Sequence, residues 1–301
     1  MESTEQDIIP EDWGSETETG EPGGIFSRIY HNIWNHPLAV VGLVIILILI
    51  LTAVLAPVIA PFDPYHQVAE DRLKPPGTTY FFGTDDMGRD IFSRVIWGSR
   101  LSLAAAAVVI ALSTNIGIFI GAISGYLGGR VDEILMRITD MFLAFPAMVL
   151  AMVIASALGP SLINAMIAIS VVWWPWYARL IRGQILSIKT MEYIEAAKAL
   201  GASNARILWK YTLPNCTAPL IVQATLDSGY AILTTASLSF IGVGALAPTP
   251  EWGSMISIGR SYILMQWWYP TFPGLAIFLA VAGFNLLGDG LRDILDPRLN
   301  V

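Results

Sequence analysis

The stretch EYIEAAKALGASNARILWKYTLPN, residues 192–215, is polar and helix-forming, and it lies between two long apolar runs. Residues 192–200 are good helix formers, with apolar side chains at Ile194, Ala197 and Leu200. Gly201 then interrupts, and glycine tolerates the positive backbone angle that a sharp turn demands. Ser203 is suited to cap a second helix, whose apolar positions include Ile207, Leu208 and Tyr211. Pro214 is expected to stop or redirect that second helix. The predicted unit is a pair of short helices set at an angle, within a polar insert spanning 181–216. On these residues alone two readings stay open. The insert is a knob that carries force into a helix bundle when a partner holds it, or it is a loop lying flat on a membrane.

Outward from the insert, the chain is apolar. Hydrophobic residues make up 54% of the 301, charged residues only 14%, and mean hydropathy is +0.60. A soluble domain carries about a quarter charged residues. The apolar residues come in runs of the roughly 20 that a bilayer-spanning helix needs. They predict an all-α integral membrane protein with six spans, at 38–60, 101–126, 135–158, 161–180, 217–243 and 271–289. Pro175 and several Trp interrupt the fourth. Before the first span, residues 1–24 read as a disordered acidic tail, since residues 1–21 hold eight carboxylates and no Lys or Arg. Residues 25–37 read as an interfacial segment, and 61–100 as a long external segment. The N-terminus lacks a basic n-region, and its first apolar run begins only near Leu38 and outlasts a signal core, so that run is expected to remain as a spanning helix. With both ends inside, eleven Lys and Arg fall in inner segments and six in outer ones. That bias predicts a multi-pass protein with cytoplasmic termini.

Several chemistries are missing. The net charge of -7 argues against nucleic acid. There is no GxxxxGK[ST] string to cradle a nucleotide, and Gly128-Gly129 does not supply one. His31, His36 and His66 lack zinc-like spacing, and the lone Cys216 reads as a small helix-face residue. No catalytic, cofactor or metal residues are expected in this chain. Within the fifth span, Gln223, Asp227, Tyr230 and Thr234 follow steps of four, three and four, which puts them on one helix face. An ionisable group inside a membrane usually faces the bundle or a wetted path. The stripe is therefore a candidate translocation wall, or else a set of packing hydrogen bonds. Arg137 and Asp140 are expected to pair with each other across one helix turn. Trp267 and Trp268 read as interfacial anchors. GTDDMGRD (83–90) reads as a docking surface for a solute-binding protein, or as a folded lid over helix ends.

Glu195-Ala196-Ala197, Gly201 and Leu213-Pro214 stand at the spacing of the EAA loop, and in that pattern the chain resembles the permeases of binding-protein-dependent ABC importers. Tyr211 stands where that family usually has Ile. GTDDMGRDIFSRVIWGSRLSL (83–103), GYLGGRVDEILMRITD (125–140), APTPEWG (247–253) and FNLLGDGLRDILDPRL (284–299) extend the likeness over about 30–298. They resemble the C-type permease of dipeptide, oligopeptide and nickel importers. The resemblance implies a six-helix ABC permease fold in a prokaryotic inner membrane, with a coupling helix docked on an ATPase. It implies a homologous second permease as heterodimer partner, two cytoplasmic ATPase subunits that bind ATP and magnesium, an extracytoplasmic solute-binding protein, and surrounding lipid. The implied cargo is a short peptide, with nickel chelate, glutathione or oligosaccharide as alternatives on the same machinery. Asp227 alone would suit an ion-coupled secondary carrier, which the EAA pattern opposes.

The orientation predicts that a cysteine at position 75 reacts with an impermeant reagent from outside, and cysteines at 15 and 298 only from inside. Labelling of position 75 solely from the cytoplasm would overturn the topology.

Overall fold

The computed structural model describes residues 33–295. The expected acidic tail, most of the interfacial segment and residues 296–301 lie outside the described residues. The described chain is helical apart from loops and one isolated bridge, Thr84 with Asp90. Helix α1 (Pro37–Val54) starts on a proline, whose fixed backbone angle suits a first turn. A one-turn helix, α2 (Ala56–Ile59), follows it. Helix α3 (Ile91–Leu127) runs 37 residues, about 55 Å at the usual rise. It begins ten residues before the expected boundary at 101, because Asp90 caps it by accepting from the Ser93 amide at 2.8 Å.

The expected third span is not a straight rod. Helices α4 (Gly129–Leu143) and α5 (Ala147–Leu158) meet at 86°. Phe145 precedes Pro146, and a residue before proline is pushed out of the helical region. Helix α6 (Leu162–Ile188) winds through Pro175 without a break. The insert contributes α7 (Glu192–Ala199) and α8 (Asn204–Arg206). Helices α9 (Thr217–Ile241), α10 (Trp252–Gly259) and α11 (Trp268–Leu295) complete the chain. Among the described residues, α1, α3 and α11 are long and apolar enough to cross a membrane, and the bent pair α4–α5 adds a fourth crossing if it counts as one. Helices α6 and α9 have the length. Their apolar runs are diluted by Trp173-Trp174-Pro175-Trp176-Tyr177 in one and by Gln223, Thr225, Asp227 and Ser228 in the other.

Small residues bring the helices together. Gly117, Gly121 and Gly125 form one stripe of α3 laid against α6. A Cβ at Gly117 would lie 2.3 Å from the Tyr177 Cβ, and one at Gly121 would lie 2.5 Å from the Ala178 carbonyl oxygen. Gly42 of α1 meets α11 in the same way, 2.5 Å from the Leu287 nitrogen. In a membrane, where burial against lipid gains little, close backbone approach of this kind supplies the packing attraction. The core between α3, α5, α6, α9 and α11 is filled by Val109, Ile169, Trp173, Ile232 and Leu238.

The 61–90 segment folds back over the ends of α3 and α11. Asp85 is fully buried, accepts from the Met87 and Arg89 amides at 2.9 Å, and pairs with Arg89 Nε at 2.6 Å. Arg94, also buried, donates to the carbonyls of Pro64 at 2.8 Å and Pro248 at 3.2 Å. Of the two readings of GTDDMGRD, this burial fits a lid. Trp268 belongs to the lid too. It is 7% exposed and donates to the Thr84 carbonyl, so it is a core residue and not the expected surface anchor, whereas Trp267 is 53% exposed.

Substitution on the α3 seam separates packing from propensity. Gly117→Leu should destabilise by about 1–3 kcal/mol or abolish folding, because Tyr177 has nowhere to go. Gly183→Ala on α6, with nothing within 4 Å, should be neutral or stabilising by about 0.5 kcal/mol. Thermal unfolding in detergent reads both. Equal melting temperatures for the two variants would remove the seam as a packing determinant.

Candidate functional site

Two features are built from the residues singled out above, one at the insert and one between helices. At the insert, α7 ends in a turn whose hinge is Gly201, with φ +81°. The Gly201 amide donates to the Lys198 carbonyl at 2.9 Å and the Ala202 amide to the Ala197 carbonyl at 3.0 Å, closing the helix end. Ser203 then caps α8, accepting from the Arg206 amide at 3.4 Å. Ile194 and Ile207 are fully buried and pack with Ile181, Ile185, Ile188 and Cys216 at the base of α6. The insert is thus a folded unit seated on the bundle, not a loose loop. Glu195, Ala196, Gly201 and Pro214 face outward, while Ala197 and Leu213 are half-buried. Leu200, at the tip, is 89% exposed. The Glu195 side chain makes no hydrogen bond among the described residues.

Pro214 neither stops nor redirects the chain. After α8 the backbone widens into a π-turn, Ile207–Thr212, tightens into a 3₁₀ turn, Leu213–Cys216, and runs into α9. The change of pitch absorbs the missing amide. Side chains take up carbonyls in the same stretch: Asn215 Nδ2 donates to Tyr211 O at 2.7 Å, and Cys216 Sγ to Thr212 O at 3.4 Å.

The base under the insert is fastened by charge. Arg182 of α6 grips Asp132 of α4 through two bonds, at 2.6 and 2.7 Å, and Ser124 also donates to that carboxylate. The Arg182 guanidinium, with help from Ser124, holds Asp132 below the usual carboxylate range, and Asp132 in turn raises Arg182. The expected Arg137–Asp140 pair does not form. Arg137 reaches Glu133 at 3.2 Å and Asp140 reaches Arg179 at 2.6 Å, because α4 lies beside α6 and offers Asp140 a cation across the interface.

The second feature is a cavity of about 560 Å³ between α5, α6 and α9. Gln223, Asp227 and Tyr230 line it, as do Trp173, Trp176, Tyr177 and Arg179. Thr234 does not join them. It is 7% exposed and bonds back to the Tyr230 carbonyl at 2.8 Å. Asp227 accepts from Gln223 Nε2 at 3.0 Å and from the Tyr177 hydroxyl at 2.7 Å. Tyr230 stacks on Trp173, with ring centroids 5.2 Å apart and planes 8° apart. The α6 half of this wall escaped the sequence reading, although its signal, the run WWPWY at 173–177, is plain. Among the described residues, no group of three or more His, Cys, Asp or Glu is placed to hold a metal ion.

These features define a polytopic helical membrane protein with a folded polar insert and a polar cavity between helices. The model of a family described as binding-protein-dependent transport system inner membrane component matches residues 117–301, and that of the N-terminal transmembrane domain of oligopeptide transport permease C matches 26–76. The chain is 51% identical over 262 residues to a probable D,D-dipeptide transport system permease protein of Escherichia coli (strain K12), covering 87% of this chain and 88% of that one. It is 46% identical to a dipeptide transport system permease protein of Alkalihalophilus pseudofirmus, over 90% and 89%. It is 42% identical to a glutathione transport system permease protein of Pectobacterium atrosepticum, over 79% and 80%. The chain belongs to the binding-protein-dependent transport system inner membrane component family.

The Asp132–Arg182 clasp has a pH signature. The folded value of Asp132 lies below its ordinary 3.8, so the stabilisation is fully present above 3.8 and lost as pH falls through the depressed value. Asp132→Asn should cost about 1 kcal/mol at neutral pH, allowing for the partial exposure of Arg182. The difference in melting temperature from wild type should shrink in acid. A difference that stays constant with pH would show that the clasp does not titrate with Asp132.

Proposed function

We propose that this chain is the permease subunit of an ATP-driven importer that moves short peptides through the cytoplasmic membrane of a prokaryote. In this reading six spans cross the membrane, both termini are cytoplasmic, and α4–α5 counts as one broken crossing. A homologous second permease completes the path. Two ATPase subunits supply ATP hydrolysis with magnesium, and a solute-binding protein delivers cargo from outside. The relatives named for dipeptide and D,D-dipeptide transport support a peptide cargo, and glutathione, carried by another relative, is itself a small peptide. Mass spectrometry of the ligand on the cognate binding protein tests the cargo.

The observation that carries the reading is the insert. Its inner face is bolted to α6 by Ile194 and Ile207, and its outer face presents Glu195, Ala196, Gly201 and exposed Leu200 to whatever docks there. An exposed leucine on a rigid corner is an economical handle for a partner protein. Helix α7 is the coupling helix, with Ala197, Leu213 and Pro214 shaping its seat. ATP binding draws the ATPases together, the held insert moves with them, and α6 and α9, to which it is fastened, carry the motion to the cavity. Gln223, Asp227 and Tyr230 belong to the translocation wall, and Thr234 supports it from behind.

Gly201→Val places a β-branched residue at positive φ, a strain of about 1–3 kcal/mol, with no clash inside this chain. Membrane insertion and pairing with the second permease should survive. Stimulated ATPase activity and uptake in the reconstituted complex should fall severalfold, and Glu195→Ala should weaken them less. Full stimulation and full uptake by Gly201→Val would remove the insert from the coupling pathway.

A further inference from the structure

We propose that the cavity between α5, α6 and α9 is a binding site for a primary ammonium group, with Asp227 as its counter-ion and Trp173, Trp176 and Tyr230 as its aromatic wall. That the ammonium belongs to a passing peptide rests on the function proposed above; the site itself rests on the cavity.

The charges decide its sign. Arg179 also lines the cavity, but its guanidinium is committed to Asp140 at 2.6 Å. Asp227 has only neutral partners, the Gln223 amide and the Tyr177 hydroxyl. Among the described residues no Lys, Arg or His comes within 4.0 Å of it. A carboxylate offers about four acceptor positions, and two are used here. The uncompensated charge facing the cavity is therefore negative. A carboxylate is also more than packing requires. An asparagine could bond both neighbours, its Oδ1 accepting from Gln223 and its Nδ2 donating to the Tyr177 hydroxyl oxygen, and would avoid the cost of an ionisable group between membrane helices.

The rest of the wall suits a cation. Trp173 is buried and stacks in parallel under Tyr230 at 5.2 Å, which leaves Tyr230, 55% exposed, and Trp176, 58% exposed, as the open rings. Aromatic faces grouped around a site attract ammonium groups through their quadrupoles. The volume, about 560 Å³, lies in the range of pockets that hold small molecules. It has room for the terminal residues of a short peptide.

The test is cysteine labelling of the assembled importer in lipid nanodiscs, without binding protein. Ala147 lines the cavity, so Ala147→Cys puts a thiol in it while Asp227 and the aromatic residues stay unchanged. The native Cys216 is buried and serves as the unlabelled background. The probes are a trimethylammonium and a sulfonate methanethiosulfonate, each normalised to a free thiol in solution. The cationic reagent should react faster. Adding Asp227→Asn should lower the cation-to-anion rate ratio by about tenfold. Asp227→Glu should restore it, which separates lost charge from lost fold. Alanyl-alanine should slow labelling, and N-acetyl-alanyl-alanine should not. A ratio unchanged by Asp227→Asn, or equal protection by the two peptides, would overturn the proposal. If the ratio follows the charge but the labelled importer still takes up peptide, the cavity leaves the translocation path and the ammonium site stands.

Discussion

The close approach of α3 to α6 along Gly117, Gly121 and Gly125 is the constraint from which both functional features follow. At Gly117 the missing side chain leaves the space that Tyr177 occupies. That places the Tyr177 hydroxyl 2.7 Å from Asp227, so the seam between two helices positions a group held by a third. At Gly125 the backbone lies against Arg182, whose guanidinium holds α4 through Asp132, and the Gly125 carbonyl accepts from Lys189 at 3.1 Å. One stripe of glycines thus sets the cavity and the seat of the insert. Larger side chains would push α6 outward and undo both. Lipid competes well with side chains for apolar contact, so backbone proximity, not burial, holds such a seam.

The two ends of the bundle are stiffened by different means. At the lid, charge is buried: Asp85 bonds Arg89 at 2.6 Å and lies 3.5 Å from Arg94 Nε, which makes no hydrogen bond, while Arg94 Nη1 donates to two backbone carbonyls. A buried network of this kind is costly if any member is lost, which favours one arrangement over many. At the insert, the fastening is apolar inside and ionic at the margin. Ile194 and Ile207 supply the grip, and Asp132–Arg182 fixes the angle of α4. The tip stays exposed, so the insert is rigid where it joins the bundle and open where a partner would meet it.

Much of this was legible in the chain. The apolar runs marked the long helices, because a helix that faces lipid must be apolar over most of its surface. Gly201 marked the hinge of the insert, because only glycine sits at positive φ without strain. Asp227 with Gln223 and Tyr230 could be placed on one face by counting alone. These are local properties, set by neighbours within a few residues, and the sequence determined them by itself. Tertiary structure decided the rest, because the partners are distant in the chain. Nothing near Asp140 reveals that it prefers Arg179, 39 residues away, to Arg137. The WWPWY run gives no hint that one tryptophan is buried against Tyr230 while another opens to the cavity. Trp268 became a core residue because the lid folded over it. Pro214 lost its power to end a helix because a π-turn before it changed the register. Each outcome depends on which surfaces meet, and that is settled by close packing of whole helices, which no short stretch encodes.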